Sequence, residues 1–131
     1  MKYIKFPLAL LIITAVTMFS TSHSQATDGP VEGAAFKLIM FEELGCEYCD
    51  LWNEQIGVTY PNTPEGRFAP LTRVFKGDRS VSHIKRVIYT PTFVVMQGNK
   101  EIGRILGYPG EEFFWAFLGE ILEKAGFKPA S

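Results

Sequence analysis

Cysteine is scarce in this chain. There are two among 131 residues, both inside the stretch Gly45-Cys46-Glu47-Tyr48-Cys49, which is not the cysteine economy of a small secreted domain held by several disulfides. Histidine is as scarce. Only His23 and His83 could add to the two thiols, too thin a ligand supply for the four-coordinate set of a structural zinc site. Asp50, not histidine, follows Cys49, so c-type haem attachment is excluded. The chain also lacks a basic excess, with 13 Lys and Arg against 14 Asp and Glu. Without a cationic stripe, nucleic acid is not an expected partner. Nor is there an apolar run of the about 20 residues that a membrane-spanning helix needs.

The apolar run that does occur, Phe6 to Phe19, follows Lys2 and Lys5 and precedes the small residues of Ser24-Gln25-Ala26. That order of a cationic start, a short apolar stretch and a small-residue cleavage site predicts a signal peptide over 1–26, hence export to the periplasm and no membrane span after cleavage. An uncleaved anchor is the alternative reading. Loss of Lys2 and Lys5 takes the cations from 13 to 11 against 14 acids, leaving a mildly acidic protein. Residues 27–34, with Gly29-Pro30 and Gly33, read as a linker. One domain is expected over 35–131, since 47% apolar residues supply one core but not two.

The two cysteines carry the chemistry. The apolar run Leu38 to Phe41, nearly continuous from Phe36 to Glu42, predicts a strand buried on both faces. Cys49, Trp52 and Ile56 then recur at helical spacing, and Gly57 reads as a left-handed C-cap. A C-x-x-C pair at a strand-to-helix step is a redox dithiol. Unpaired N–H groups at the helix start favour Cys46 as a thiolate nucleophile, and Cys49, one turn in, is placed to resolve the mixed disulfide. A structural disulfide is the competing reading, although so short a loop constrains the unfolded chain little. Glu42, Glu43, Glu47 and Asp50 surround the pair; they are either a solvated rim or, with Glu47 foremost, a redox-tuning set that opposes thiolate formation. Tyr48 is a candidate for a docking surface, Trp52 is expected in the core and His83 on the surface.

Tyr60 to Pro70, with three prolines and Gly66, reads as a loop. Leu71 to Phe75 is a candidate strand, and Ser80 is expected to cap a brief helix to about Arg86. Thr92 to Gln97 and Lys100 to Leu106 flank Gly98-Asn99 as a hairpin. The last helix starts at Glu111 and Glu112, ends at Lys124 before Gly126, and presents Phe114, Phe117, Leu118, Ile121, Leu122 and Ala125 as one apolar face. The order is a βαβ unit joined to a ββα unit around one mixed sheet, an α/β fold with the dithiol at the carboxyl end of its central strand.

With C-x-x-C behind a buried strand, Thr90-Pro91-Thr92-Phe93 ahead of a hairpin, Gly107 and a terminal amphipathic helix, the sequence resembles the thioredoxin superfamily over Ala35 to Phe127. The resemblance implies a four-stranded mixed sheet flanked by helices, a cis Thr90–Pro91 bond facing the dithiol, and a backbone at Thr90 that pairs with a substrate strand. Gly45, Tyr48 and Gly107 complete the candidate substrate-binding positions; no metal or other cofactor is implied. The chain departs from familiar thioredoxins at Gly45, at Glu47-Tyr48 and at Met40, where they carry Trp, Gly-Pro and a buried acid. Together with Trp52, Glu54, Tyr60, Thr63, Glu65-Gly66 and Ala69-Pro70-Leu71, the motif is similar to periplasmic thioredoxins of the sulfur-oxidation (SoxS-like) type. That similarity implies a partner protein with a cysteine to be kept reduced, such as a sulfur carrier, and an electron donor at the membrane. A disulfide-forming oxidase or isomerase, and a redox-sensing regulatory module, are the alternative functions.

Overall fold

The computed structural model describes residues 35–128; the expected signal segment 1–26 and linker 27–34 lie outside the described residues. Four strands, β1 (Phe36–Glu42), β2 (Leu71–Phe75), β3 (Thr92–Gln97) and β4 (Lys100–Leu106), form one sheet in the order β2-β1-β3-β4. β1 runs parallel to β2, with Met40 opposite Arg73, and antiparallel to β3, with Met40 opposite Phe93. β3 and β4 are the expected hairpin, with a bulge at Val95/Met96. The sheet is therefore mixed, and the fold is the α/β thioredoxin arrangement.

Alternation along β1 explains its double burial. Leu38 and Met40 enter a core with Trp52, Tyr60, Phe93 and Phe114, while Ile39 and Phe41 join Val74, Ile84, Val94 and Met96 on the opposite face. In the first core Trp52 is fully buried, its ring 5.0 Å from Phe93 and 5.6 Å from Phe114. Each such side chain contributes roughly 1.5–3 kcal/mol through removal of apolar surface from water.

The helices depart in detail from the sequence expectation. α1 (Glu47–Trp52) widens into a π-type turn over Asn53–Gly57. Gly57 keeps a right-handed backbone rather than the expected C-cap geometry, since its φ is not among the positive ones. Its lack of a side chain instead admits Arg73 and Trp52, both of which would lie 3.1 Å from a Cβ there. The stretch expected as a loop contains a short turn at Tyr60–Asn62 and a second helix, α2 (Pro64–Phe68), whose N-cap Thr63 accepts the Gly66 N–H at 2.9 Å. Pro64 there opens a helix, because the first helical position needs no N–H donor.

The helix expected from Ser80 to Arg86 is a single tight turn, Arg79–Val81, and its cap is Asp78, which accepts the Ser80 N–H at 2.8 Å. No further helix separates β2 from β3 among the described residues. The last helix, α3 (Glu111–Lys124), ends at Gly126 with φ +95°. Its contact face is narrower than the apolar pattern suggested. Phe114, Leu118 and Leu122 are buried at a spacing of four, Ile121 sits over Gly103 on β4, and Phe117 stays 45% exposed.

Candidate active site

The turn from β1 into α1 sets the site. Gly45, at φ +74°, takes a backbone that L side chains avoid, and the chain turns sharply enough to make Cys46 the N-cap of α1. Cys46 and Cys49 are joined as a disulfide with Cα atoms 5.2 Å apart. Cys46 is half-buried and Cys49 is buried. The Cys46 Sγ accepts the Cys49 N–H at 3.2 Å, and the Cys46 carbonyl accepts the N–H of Asp50 at 3.1 Å. An N–H so placed would stabilise negative charge on the Cys46 sulfur once the disulfide is reduced, as a helix N-terminus does.

The start of β3 shares a groove with Tyr48, which stands between the two cysteines in sequence. The Thr90–Pro91 bond is cis. Pro91 is buried, and its carbonyl accepts the N–H of Gly107 at 2.8 Å, which ties the end of β4 to the same place. Among the described residues no hydrogen bond uses the backbone N–H or carbonyl of Thr90. Tyr48, Thr90, Pro91, Leu106, Gly107 and Tyr108 line a shallow groove of about 320 Å³. The fold thus brings Tyr48, Thr90, Pro91 and Gly107 into one depression, while Gly45 is outside that lining. Tyr48 is 58% exposed and Leu106 beside it in the groove is exposed as well, as is Leu44 just before the motif. Tyr108 closes one end by donating to Gln55 Oε1 at 2.6 Å, which joins the β4–α3 turn to the helical turn after α1.

Three residues that sequence reasoning did not connect join here. Glu43 pairs with Lys76 at 2.6 Å and accepts the hydroxyl of Thr90 at 2.8 Å. The hydrogen bonds from Lys76 and then Thr90 hold its carboxyl below the usual carboxylate range. Glu42 likewise pairs with Arg73 at 3.3 Å, and the Arg73 guanidinium lies 5.7 Å from the centre of the Trp52 ring. Two of the four acids around the motif are therefore matched by cations from β2 and just beyond it, and Glu47 and Asp50 remain exposed on α1. A parallel β1–β2 pairing is what delivers these cations, and no local pattern announces it. Trp52 is a core residue, as expected, and His83 is exposed. Among the described residues no group of three His, Cys, Asp or Glu is placed to hold a metal ion.

The periplasmic thioredoxin SoxS from Paracoccus pantotrophus, in its reduced form, is similar to this chain at 44% identity and a TM-score of 0.65. The match covers 69% of this chain and 98% of that one. A thioredoxin from Malassezia sympodialis matches at 20% identity and a TM-score of 0.48, over 67% of this chain and 76% of its own. No protein-family model and no curated protein sequence matches.

Proposed function

The chain belongs to the thioredoxin superfamily as a SoxS-like thiol-disulfide oxidoreductase, and on that premise we propose that it is a periplasmic reductant of a partner protein's disulfide or blocked cysteine. The observation that carries this reading is the asymmetry of the pair: a half-buried Cys46 at the helix start beside a buried Cys49.

In the proposed cycle the Cys46 thiolate attacks one sulfur of the substrate disulfide, and the other substrate sulfur leaves as thiolate. The Cys49 thiol loses its proton and attacks the Cys46 sulfur, which closes the Cys46–Cys49 disulfide and releases the second substrate thiolate. Two electrons pass from the dithiol to the substrate. Thr90, with its backbone N–H and carbonyl unused, is the edge on which a substrate strand would pair, and Pro91 holds that edge against the dithiol. Tyr48, Gly45 and Gly107 are assigned to substrate contact around it. Reducing equivalents would arrive from a donor at the inner membrane, since the periplasm is kept oxidising. The partner we assign is a sulfur-oxidation carrier protein.

Direction follows from the charge next to the thiolate. A dithiol oxidises strongly when its reduced form is stabilised by cations at the nucleophile. Here Glu47 and Asp50 flank the pair on α1, and the cations Arg73 and Lys76 are already engaged by Glu42 and Glu43. A potential nearer about −270 mV than about −120 mV is expected. Equilibration with glutathione buffers measures it; a value above about −150 mV would make the protein an oxidase. Trapping with Cys49→Ser then identifies the partner through the mixed disulfide that this variant cannot resolve.

A further inference from the structure

A second groove is larger than the one lined by Tyr48, Thr90 and Pro91. It has a volume of about 570 Å³ and lies along the irregular stretch between β2 and β3, with Lys76, Arg79, Lys85 and Arg86 on its walls and Ile84 and Ile88 among its apolar lining. Its charge sets it apart from the rest of the domain. Over residues 35–128 there are 11 Lys and Arg against 12 Asp and Glu, yet 76–88 holds four cations and one acid, which leaves seven cations and 11 acids elsewhere. The one acid, Asp78, is engaged by the Ser80 N–H at 2.8 Å. Among the described residues Arg79, Lys85 and Arg86 form no salt bridge. Like charges held together on an acidic protein without counter-charges repel one another, a cost that an anionic partner removes.

The groove ends at Ile88, two residues before Thr90 in the chain. Ile88 and Tyr89, 64% and 66% exposed, lead straight to Thr90 and Pro91. Lys76 on the groove wall reaches Glu43, which holds the Thr90 hydroxyl. A partner segment paired with the Thr90 backbone would have only Tyr89 and Ile88 to pass before it met the cationic walls.

We infer that this groove docks an acidic, extended segment of the partner protein next to the cysteine that the dithiol attacks, with Arg79, Lys85 and Arg86 as its charge-reading residues. That the segment belongs to a redox substrate rests on the function proposed above; the groove's preference for acidic peptide does not, and the two are separable. Charge complementarity of this kind sets partner choice and association rate and weakens with salt.

The test uses the oxidised protein and a fluorescent, cysteine-free peptide of alternating Glu and Ser, with Gln and Lys versions as controls. The Glu peptide should bind at least about tenfold more tightly than either control. That preference should collapse at 0.5 M NaCl and in Lys85→Gln/Arg86→Gln, a pair of exposed changes that leave the core untouched. Turnover of a small uncharged disulfide by the reduced double variant should match wild type. Equal binding of the three peptides, or a preference that survives the double variant, overturns the assignment. Selective Glu-peptide binding by a protein that reduces no disulfide would sustain the groove and sink only the redox reading.

Discussion

The two faces of the sheet are built differently. On one, α1, α2 and α3 cover Leu38, Met40, Phe93 and Val95 with an aromatic cluster that includes Trp52, Tyr60 and Phe114, all fully buried. On the other, Ile39, Phe41, Val74, Val94 and Met96 are covered by Ile84, with Val81 and Val87, from a stretch holding a single helical turn. The difference separates two tasks. The helical face fixes the geometry of the dithiol, which needs the Cys46 N-cap and a buried Cys49. The irregular face carries the chain to Thr90 and Pro91 and exposes the cations and apolar side chains that a partner would meet. On the proposed reading chemistry would sit on the helical side and recognition on the irregular one, and the two are joined through Lys76, Glu43 and Thr90.

The largest effect expected is on the helical side. Cys46→Ser should abolish disulfide turnover, whereas Cys49→Ser should stop the cycle after one step and accumulate mixed disulfide, read by non-reducing gel electrophoresis. Residual turnover in Cys46→Ser would move the chemistry elsewhere. Next comes the packing contrast. Phe114→Ala should destabilise by about 3–5 kcal/mol and Ile84→Ala by about 2 kcal/mol, because Phe114 is enclosed by other rings and Ile84 belongs to the thin outer cover of its face. Equal losses in urea unfolding would show that the two faces are not built differently after all.

Smaller still is the expected effect at the junction. Pro91→Ala should lower turnover of a peptide disulfide by about tenfold, through misplacement of the Thr90 edge, while both thiols still oxidise; unchanged turnover removes Pro91 from the site. Least of all should change in Glu43→Gln. The folded-state pKa of Glu43 is depressed by Lys76 and Thr90, so its contribution to stability is complete above the ordinary carboxylate value and disappears as pH falls through the folded one. Wild type and Glu43→Gln should therefore differ slightly in urea midpoint at pH 7 and converge as the pH falls below the folded-state value of the carboxyl. A difference that grows on acidification would mean that the carboxylate is not the partner of Lys76 and Thr90.

The same division explains what was readable from the residues alone. β1, the β3–β4 hairpin and α3 declare themselves because long apolar runs, β-branched residues and Gly98-Asn99 act locally. The dithiol is legible for the same reason, all of it lying within five residues. α2 was hidden because five residues are too few for periodicity, and Pro64 reads as a breaker when its Thr63 cap is overlooked. The segment after β2 was misread because Ser80 and Asp78 are both good caps, and only the fold decides that Asp78 is used. The Glu43, Lys76 and Thr90 contacts could not be read at all. Glu43 and Thr90 are 47 positions apart, and they meet only once β2 and β3 have aligned on either side of β1.

The central claim is that the half-buried Cys46 is the reacting sulfur and the buried Cys49 its resolver. Reducing the wild-type protein, treating it with iodoacetamide at well below one equivalent, and mapping the label by mass spectrometry tests this directly. The account predicts label on Cys46 with Cys49 left almost free, since exposure and the Cys49 N–H both favour thiolate at the first position. Label mainly on Cys49, or divided evenly between the two, would contradict it.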